Sequence, residues 1–279
     1  MESLQVEKLR PKPVVLHTTI LFRLLLRAMA PDLVLDVGSM DGSHSRMFRR
    51  ELPSARVVAF EANPINYQRM LEDPELAAAG VEVLHRAATD RTGSISFYVQ
   101  PPGANENEAW RQGTSSILQR ADEEDRGQQV AVEAVRLDEH VSATASAEAI
   151  VLWVDVEGGA FEVLAGAEGV VSQTALIHVE VETEEVWKGQ RLKVDVVELL
   201  NRYGFIILAR GRKELQHDLA CVRAELYRAQ EGRFRALLWI AKALSLTRKL
   251  GGRILGDAVF AMVWRLVPRG WLKTDAGAR

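Results

Sequence analysis

The chain of 279 residues is short of cysteine, of net charge and of long apolar runs, and each shortage narrows what it can be. A single cysteine, Cys221, excludes an internal disulfide framework and any multi-cysteine zinc or iron–sulfur centre. It also fits a reducing compartment. Lys and Arg number 35 against 38 Asp and Glu, and a formal net charge of −3 argues against a general nucleic-acid coat protein. No run of about 18 uncharged apolar residues occurs, so no transmembrane helix is expected. The stretch Met1 to Pro13 mixes acids and bases and lacks the basic-then-apolar order of a secretory signal, so the expected location is the cytoplasm. His17, His44, His85, His140 and His217 lack metal-ligand spacing and read as surface or packing residues. There is no internal repeat and no low-complexity segment.

What is present is the balance of an ordinary globular protein, 47% hydrophobic and 26% charged. The charge is unevenly spread. From Arg212 onward 14 basic and 6 acidic residues give +8, which leaves 21 − 32 = −11 for the first 211. This predicts a boundary near Gly211, with an N-terminal helical segment over 1–30, a body over 31–211 and a basic amphipathic helical tail over 212–279. In the tail, Leu215, Leu219, Val222 and Leu226 are spaced 4, 3, 4, and Leu255, Val259, Met262 and Leu266 repeat that spacing, one apolar stripe per helix. Trp239, Trp264 and Trp271 lie among Arg233, Arg235, Lys242, Arg248, Lys249, Arg253 and Arg265. Such helices either lie on the anionic inner face of a membrane, which would suit a lipid-carried glycan, or pack on the body or on a second copy.

In the body, short apolar runs alternate with amphipathic stretches. Leu33–Val37, Arg56–Phe60, Val81–His85, Ile150–Val154, Leu176–Val181 and Phe205–Leu208 read as strands. Helices are expected around Ser43–Glu51, from Pro64, around Phe161–Ala167 and over Val194–Tyr203. The alternation implies an α/β fold, a mostly parallel sheet with helices on both faces. Ser94–Val99 and Val130–Leu137 break the rhythm, as an insertion over the ligand side of the sheet would.

Three strand ends carry the chemistry. After the first comes Asp36-Val-Gly38-Ser39-Met-Asp41-Gly42, where glycine lets the chain turn sharply and a ligand approach. The spacing is GxxxG, so the dinucleotide fingerprint GxGxxG is absent. The loop reads either as a nucleoside site or as a tight turn. After the second, Glu61 stands 61 − 36 = 25 residues beyond Asp36, where an acid can accept both ribose hydroxyls or simply face solvent. After the fourth comes Trp153-Val-Asp155-Val-Glu157-Gly158-Gly159. Asp36, Glu61, Asp155 and Glu180 fall at or near carboxyl ends of strands, where ligands of open sheets bind. Clustered carboxylates raise one another's pKa and suit general-base work, or else hold loops by hydrogen bonds. His178 alternates with valine in an apolar strand and is either a further base or a core histidine. Trp187 either stacks on a sugar ring or packs its loop.

These pieces, DVGSMDGSHS (36–45), FEANP (60–64), AATDRTGSISF (87–97), GTSSI (113–117), VRLDEHV (135–141), DVEGGAFEVLAGA (155–167) and HVEVE (178–182), occur in the order of one family. Over roughly residues 33–210 the chain resembles the FkbM-type S-adenosylmethionine-dependent methyltransferases. The resemblance implies a class I, Rossmann-like methyltransferase fold whose members mostly methylate hydroxyls of sugars and other small natural products. By resemblance Gly38, Ser39 and Gly42 line the methionine part of the cofactor, Glu61 binds the ribose, Ala62 and Ala87 lie near the adenine, and Asp155 sits beside the sulfonium and the acceptor. Two departures fall next to the expected acceptor site: Trp153 stands where the family usually has Lys, and Ala160 where it usually has Glu.

The expected activity is methyl transfer to a hydroxyl of a saccharide or related compound, aided by Asp155, Glu180 or His178 as base, with Trp153, Glu157 and Trp187 towards the acceptor. A carboxylate-held Mg²⁺ at Asp155 and Glu180 is the less favoured addition, so no metal site is assigned. The rival readings are a nicotinamide oxidoreductase, disfavoured by the missing third glycine, an N-methyltransferase, and a non-catalytic module acting through the basic tail.

Overall fold

The computed structural model describes residues 11–100, 113–121, 127–142, 149–213 and 215–273. Residues 1–10 of the expected N-terminal segment, 274–279 of the tail, and much of the polar loop between the two insertion strands lie outside the described residues. In chain order the strands are β1 (Val14–Val15), β2 (Leu33–Val37), β3 (Arg56–Glu61), β4 (Glu82–His85), β5 (Ala87–Ala88), β6 (Gly93–Val99), β7 (Gln128–Val135), β8 (Ile150–Val154), β9 (Thr174–Glu182), β10 (Phe205–Arg210) and β11 (Gln216–Arg223). The helices are α1 (Thr18–Met29), α2 (Ser43–Glu51), α3 (Pro64–Glu72), α4 (Pro74–Ala79), α5 (Leu137–Ser142), α6 (Ala160–Ala165), α7 (Glu168–Gln173), α8 (Lys193–Arg202), α9 (Ala224–Ala229) and α10 (Glu231–Leu266).

Eight strands form the main sheet in the order β1-β10-β11-β9-β8-β2-β3-β4. All neighbours are parallel except β11, which runs antiparallel to both β9 and β10. The central strands β2 and β8 are buried throughout, and apolar at all but Asp36, because helices cover both faces, as expected for parallel strands. One face packs on α1 and α10 through Phe22, Leu25, Phe48, Val151, Trp153 and Leu237. The other packs on α6, α7 and α8 through Leu35, Leu152, Val163, Val170, Val196 and Leu200. A three-stranded sheet, β5-β7-β6, is the insertion, with its own small core of Ala87, Phe97, Val132 and Ala134.

Local chemistry sets the helix starts. Asn63 accepts from the Ile65 N–H with Pro64 in the first turn, and Asp73 does the same for Glu75 and Leu76 ahead of Pro74.

The expected helix through Leu215, Leu219, Val222 and Leu226 is corrected. Residues 216–223 are β11, apolar at successive positions from Leu219 to Val222 because both its faces are buried. Leu215 precedes the strand and is exposed, and Leu226 lies in α9, so the 4-3-4 spacing marks no single helix. Leu219 and Cys221 enter one core while Ala220 and Val222 enter the other. Gly211 is therefore no structural boundary, since the sheet continues through Arg223. Beyond it the tail is helical. α10 bends at Gly252 (φ 74°), and its inner residues Phe234, Leu237, Ala241, Leu244 and Phe260 pack with α1. Arg23 lies over Phe260 and Arg27 over Trp264, 4.0 and 4.1 Å from the ring centres. Leu272 N–H donates to the Ala28 carbonyl at 2.7 Å and closes the tail on the body.

Candidate active site

The loop after β2 is stitched to its neighbours by main-chain bonds. Gly38 and Ser39 N–H donate to the Phe60 carbonyl at 2.9 and 3.1 Å, and Asp155 N–H donates to Val37 at 2.9 Å. Gly38 has φ +84°, and a Cβ there would stand 2.1 Å from the Asp155 carbonyl oxygen, so only glycine fits where the two loops meet. Beside this junction opens a cleft of about 550 Å³, mouth included. Gly38, Met40, Glu61, Ala62, Asn66, Ala87, Phe97, Ser115, Ile117, Asp155 and Glu157 are among its walls. The insertion roofs it: Ser115 Oγ accepts from Asn63 Nδ2 at 3.1 Å and from the Gln100 N–H at 3.0 Å, and Ser116 Oγ donates to the Glu157 carbonyl.

Glu61 is buried at the cleft wall and held by two backbone donors, Met40 N–H to Oε2 at 2.6 Å and Asn63 N–H to Oε1 at 2.7 Å. Burial nevertheless pushes its carboxyl up to about 7 against those two bonds.

A second cleft continues from the first and shares Gly38, Met40, Gly113, Asp155 and Glu157 with it. It adds Glu180, Glu182, Arg120, Lys213 and Gln216. Four carboxyl groups thus meet where the clefts join. Burial, then Asp155 and Glu182, pushes Glu157 up to about 8; burial, then Asp155 and Glu157, pushes Glu180 up to about 10. Glu180 is hydrogen-bonded to Asp155, itself raised by burial, so that pair holds a proton at neutral pH. Gln216 Nε2 donates to Glu180 Oε1 at 2.6 Å, Lys213 Nζ lies 3.7 Å from Oε2, and Gln190 donates to Glu182 at 3.0 Å. Oxygens of Glu157, Glu180 and Glu182 lie within 4.8 Å of one another, a spacing one divalent cation can bridge.

The residues singled out in the sequence divide. Gly38, Glu61, Ala62, Ala87, Asp155 and Glu157 line the first cleft, and Glu180 the second. Asp36, Ser39 and Gly42 do not. Asp36 is fully buried, accepts from Ser45 Oγ and is raised by burial; Ser39 Oγ donates to the Asp36 carbonyl at 3.0 Å; Gly42 backs onto Leu76. They shape the loop from behind rather than line the cleft. His178 is corrected from candidate base to core residue. Its ring stacks on Trp153, centres 3.6 Å apart and planes at 2°, with Phe22 edge-on and Thr18 Oγ1 3.3 Å from Nε2. Burial holds its pKa well below the usual imidazole range. Trp153 is thereby also corrected: it faces α1 and not an acceptor. Trp187 is fully buried over Gly158, where a Cβ would come 2.4 Å from its ring, so it is a packing residue and not a sugar platform. Ala160 is buried in the core, so neither departure from the family pattern lines the clefts.

Met40, Asn66, Phe97, Ser115 and Glu182 were not singled out. Glu182 closes the strand of Glu180 at the same parity, a signal that was available; Met40 and Ser115 come from loops, Asn66 from α3 and Phe97 from β6, and they meet only in three dimensions.

Residues 36–207 match the Methyltransferase FkbM domain. The chain is 26% identical over 184 residues to the 2-O-methyltransferase NoeI of Sinorhizobium fredii, covering 63% of this chain and 74% of that one. It is 29% identical over 200 residues to the hexuronic acid methyltransferase AglP of Haloferax volcanii, covering 69% and 75%. Among solved structures, the N-terminal domain of EvdMO1, determined with SAH and D-fucose, aligns with a TM-score of 0.41 at 12% identity over 74% of this chain and 83% of that one. With the cleft at the carboxyl ends of β2, β3 and β8, the domain match is decisive: the chain belongs to the FkbM family of S-adenosylmethionine-dependent methyltransferases.

Proposed function

We propose that the protein transfers a methyl group from S-adenosylmethionine to a hydroxyl of a saccharide, with the cofactor in the first cleft and the acceptor in the second. The observation that carries this reading is the junction: Asp155 and Glu157 line both clefts, so carboxyl groups stand where donor and acceptor meet. The names of NoeI and AglP point to oxygen and to sugar acids in relatives, which favours a hydroxyl over an amine. When bound, S-adenosylmethionine supplies a methyl group on a positively charged sulfur, a good leaving group. Gly38 leaves room against the loop, Glu61 accepts the ribose hydroxyls, and Ala62 and Ala87 border the base. Asp155, with its proton-sharing partner Glu180, takes the proton of the attacking hydroxyl, a contribution of about 10²–10⁴-fold. Alignment supplies more, on the order of 7–11 kcal/mol. Gln216, Lys213 and Gln190 already serve part of the carboxyl set, so a bridging Mg²⁺ is the second reading.

The test is turnover with isotopically labelled S-adenosylmethionine and a panel of neutral and acidic saccharides, with products fragmented by mass spectrometry. An O-methyl sugar formed by the wild type and lost in Asp155→Asn is expected. Methylation confined to amines, or cofactor binding without any turnover, would overturn the reading.

We also propose that the outer face of α10 rests on an anionic bilayer. Its inner stripe is spent on α1, yet Trp239 (73%), Leu250 (78%), Ile254 (89%) and Leu266 (74%) are exposed. Seven basic and two acidic residues over 231–266 give +5, which complements anionic lipid and opposes a like-charged second copy. No helix among the described residues is long and apolar enough to cross the membrane. Co-sedimentation with vesicles containing phosphatidylglycerol, weakened in Trp239→Ser/Ile254→Ser, is expected. No binding, or concentration-dependent dimers by light scattering abolished by the same substitutions, would refute it.

A further inference from the structure

Next to the acidic acceptor cleft lies a cavity of the opposite charge. Val15, Lys193, Arg210, Arg212, Lys213 and His217 line about 920 Å³ of open space, mouth included. Lys213 lines this cavity and the acceptor cleft alike, so the two adjoin at one side chain. Lys193 is the first residue of α8, Arg210 the last of β10, and Arg212 and Lys213 lie in the turn into β11. Two stretches of the chain, the start of α8 and the end of β10 with the turn after it, therefore deliver four cationic side chains to one place.

Among the described residues only Lys213 of the four has an acidic ion-pair partner, Glu180 at 3.7 Å. The side chains of Lys193, Arg210 and Arg212 have no hydrogen-bond or ion-pair partner among the described residues. Asp218 shares the adjoining pocket with Arg212 without pairing to it. The crowding is already felt: burial and then Arg210 lower the Lys193 pKa, and burial, Lys193 and Arg210 lower that of His217. Cations that outnumber their acidic partners among the described residues in a concave site attract an oxyanion, and the guanidinium forks suit its geometry.

We infer that this cavity takes an oxyanion group of the acceptor, so that the saccharide methylated at the Asp155 junction is an acidic one. The inference rests on the second cleft being the acceptor site. A phosphate or a sugar carboxylate offers the shared chemistry. Lys193, Arg210 and Arg212 would bind the charge and Lys213 would bridge to the ring, which fixes the hydroxyl presented to Asp155.

The experiment is calorimetric titration of inorganic phosphate into SAH-saturated protein at low ionic strength, for wild type and Lys193→Gln/Arg212→Gln. Both positions are at or near the surface, and Arg212→Gln alone is the milder variant should the pair fail to fold. Saturable phosphate binding by wild type, weakened at least tenfold in the variant with SAH affinity unchanged, is expected. Glucose 1-phosphate, glucuronate and glucose as competitors then identify the source: the charged sugar that binds best carries the group, and glucose binds at least tenfold more weakly than either. Equal phosphate binding by wild type and variant, or glucose as good a ligand as the charged sugars, would overturn the inference. Loss of SAH binding by wild type would instead sink the methyltransferase reading and leave the phosphate result standing.

Discussion

Glu61 provides a test in which the structure sets the magnitude. Its carboxyl is held on the cleft wall by two backbone donors, yet burial lifts it to about 7 in the free protein. A ribose diol offers two hydroxyl donors, and only the carboxylate can accept both. Cofactor binding must therefore deprotonate Glu61. The sign follows: affinity rises with pH through about 7 and is level above it. For a free pKa of about 7, going from pH 8 to pH 6 raises the unbound protonated share enough to weaken binding about tenfold, or about 1.4 kcal/mol. Calorimetry with S-adenosylhomocysteine at pH 6, 7 and 8 measures this directly. Glu61→Gln carries one acceptor and one donor in place of two acceptors, so it loses one of the Met40 and Asn63 bonds and leaves an N–H facing an N–H, at about 1–3 kcal/mol. Its binding is expected to be at least tenfold weaker at pH 8 and independent of pH from 6 to 8. A flat wild type refutes the assignment outright, and a variant that keeps the tenfold slope refutes it by transferring the titration to another group such as Glu157, whose carboxyl lies at about 8.

The other expectations concern the rest of the site. Asp155→Asn lowers kcat by at least about 10²-fold with little change in S-adenosylhomocysteine affinity, whereas His178→Gln leaves the kcat of folded enzyme within about threefold and lowers thermal stability, because His178 packs and does not react; steady-state kinetics with melting curves distinguish the two. Native Glu61, Glu157 and Glu180 hold protons that the unfolded chain releases near its ordinary carboxylate range, so the native state binds more protons and stability falls as pH rises through about 7, 8 and 10. Urea unfolding of the cofactor-free protein is expected to lose more than about 2 kcal/mol between pH 6 and pH 9, and a rise would contradict the burial argument. Trp187→Ala costs about 3–5 kcal/mol by opening a cavity over Gly158, with the loss read by the same method.

The sheet was legible because its chemistry is local. Leu33–Val37 and Ile150–Val154 are buried at every position and apolar at all but Asp36, as strands covered on both faces must nearly be, and the glycine of each following loop sits where the chain turns. Glu61 was legible for the same reason, as the last residue of a strand. His178 and Glu180 show where such reading stops. They share one face of β9, two residues apart, yet one is sealed against Thr18, Phe22 and Trp153 and the other lines the second cleft. What separates them is how far the first turn of α1 reaches along the strand, and α1 lies about 160 residues away in sequence. Trp153 changes role with His178 because their rings stack, and Trp187 is removed from the acceptor by a contact with Gly158 that its own loop gives no sign of.

β11 brings the remaining surprise and also the reason the acceptor side is built as it is. In a parallel sheet every strand brings its carboxyl end to the ligand edge and its amino end to the opposite one. β11 is reversed, so its beginning comes to that edge instead, with Gln216 opposite Glu182 and Asp218 opposite Glu180. The turn that precedes it therefore carries Arg212 and Lys213 to the rim of the acidic cleft, and Gln216 donates into it. Had residues 216–223 been the helix suggested by their spacing, the carboxyl groups of β9 would lack these donors, and the basic cavity would not adjoin the carboxyl-lined cleft. The antiparallel strand of the main sheet thus gives the site two charged halves, one acidic and one basic, side by side at the same edge, as the proposed proton and anion acceptance require.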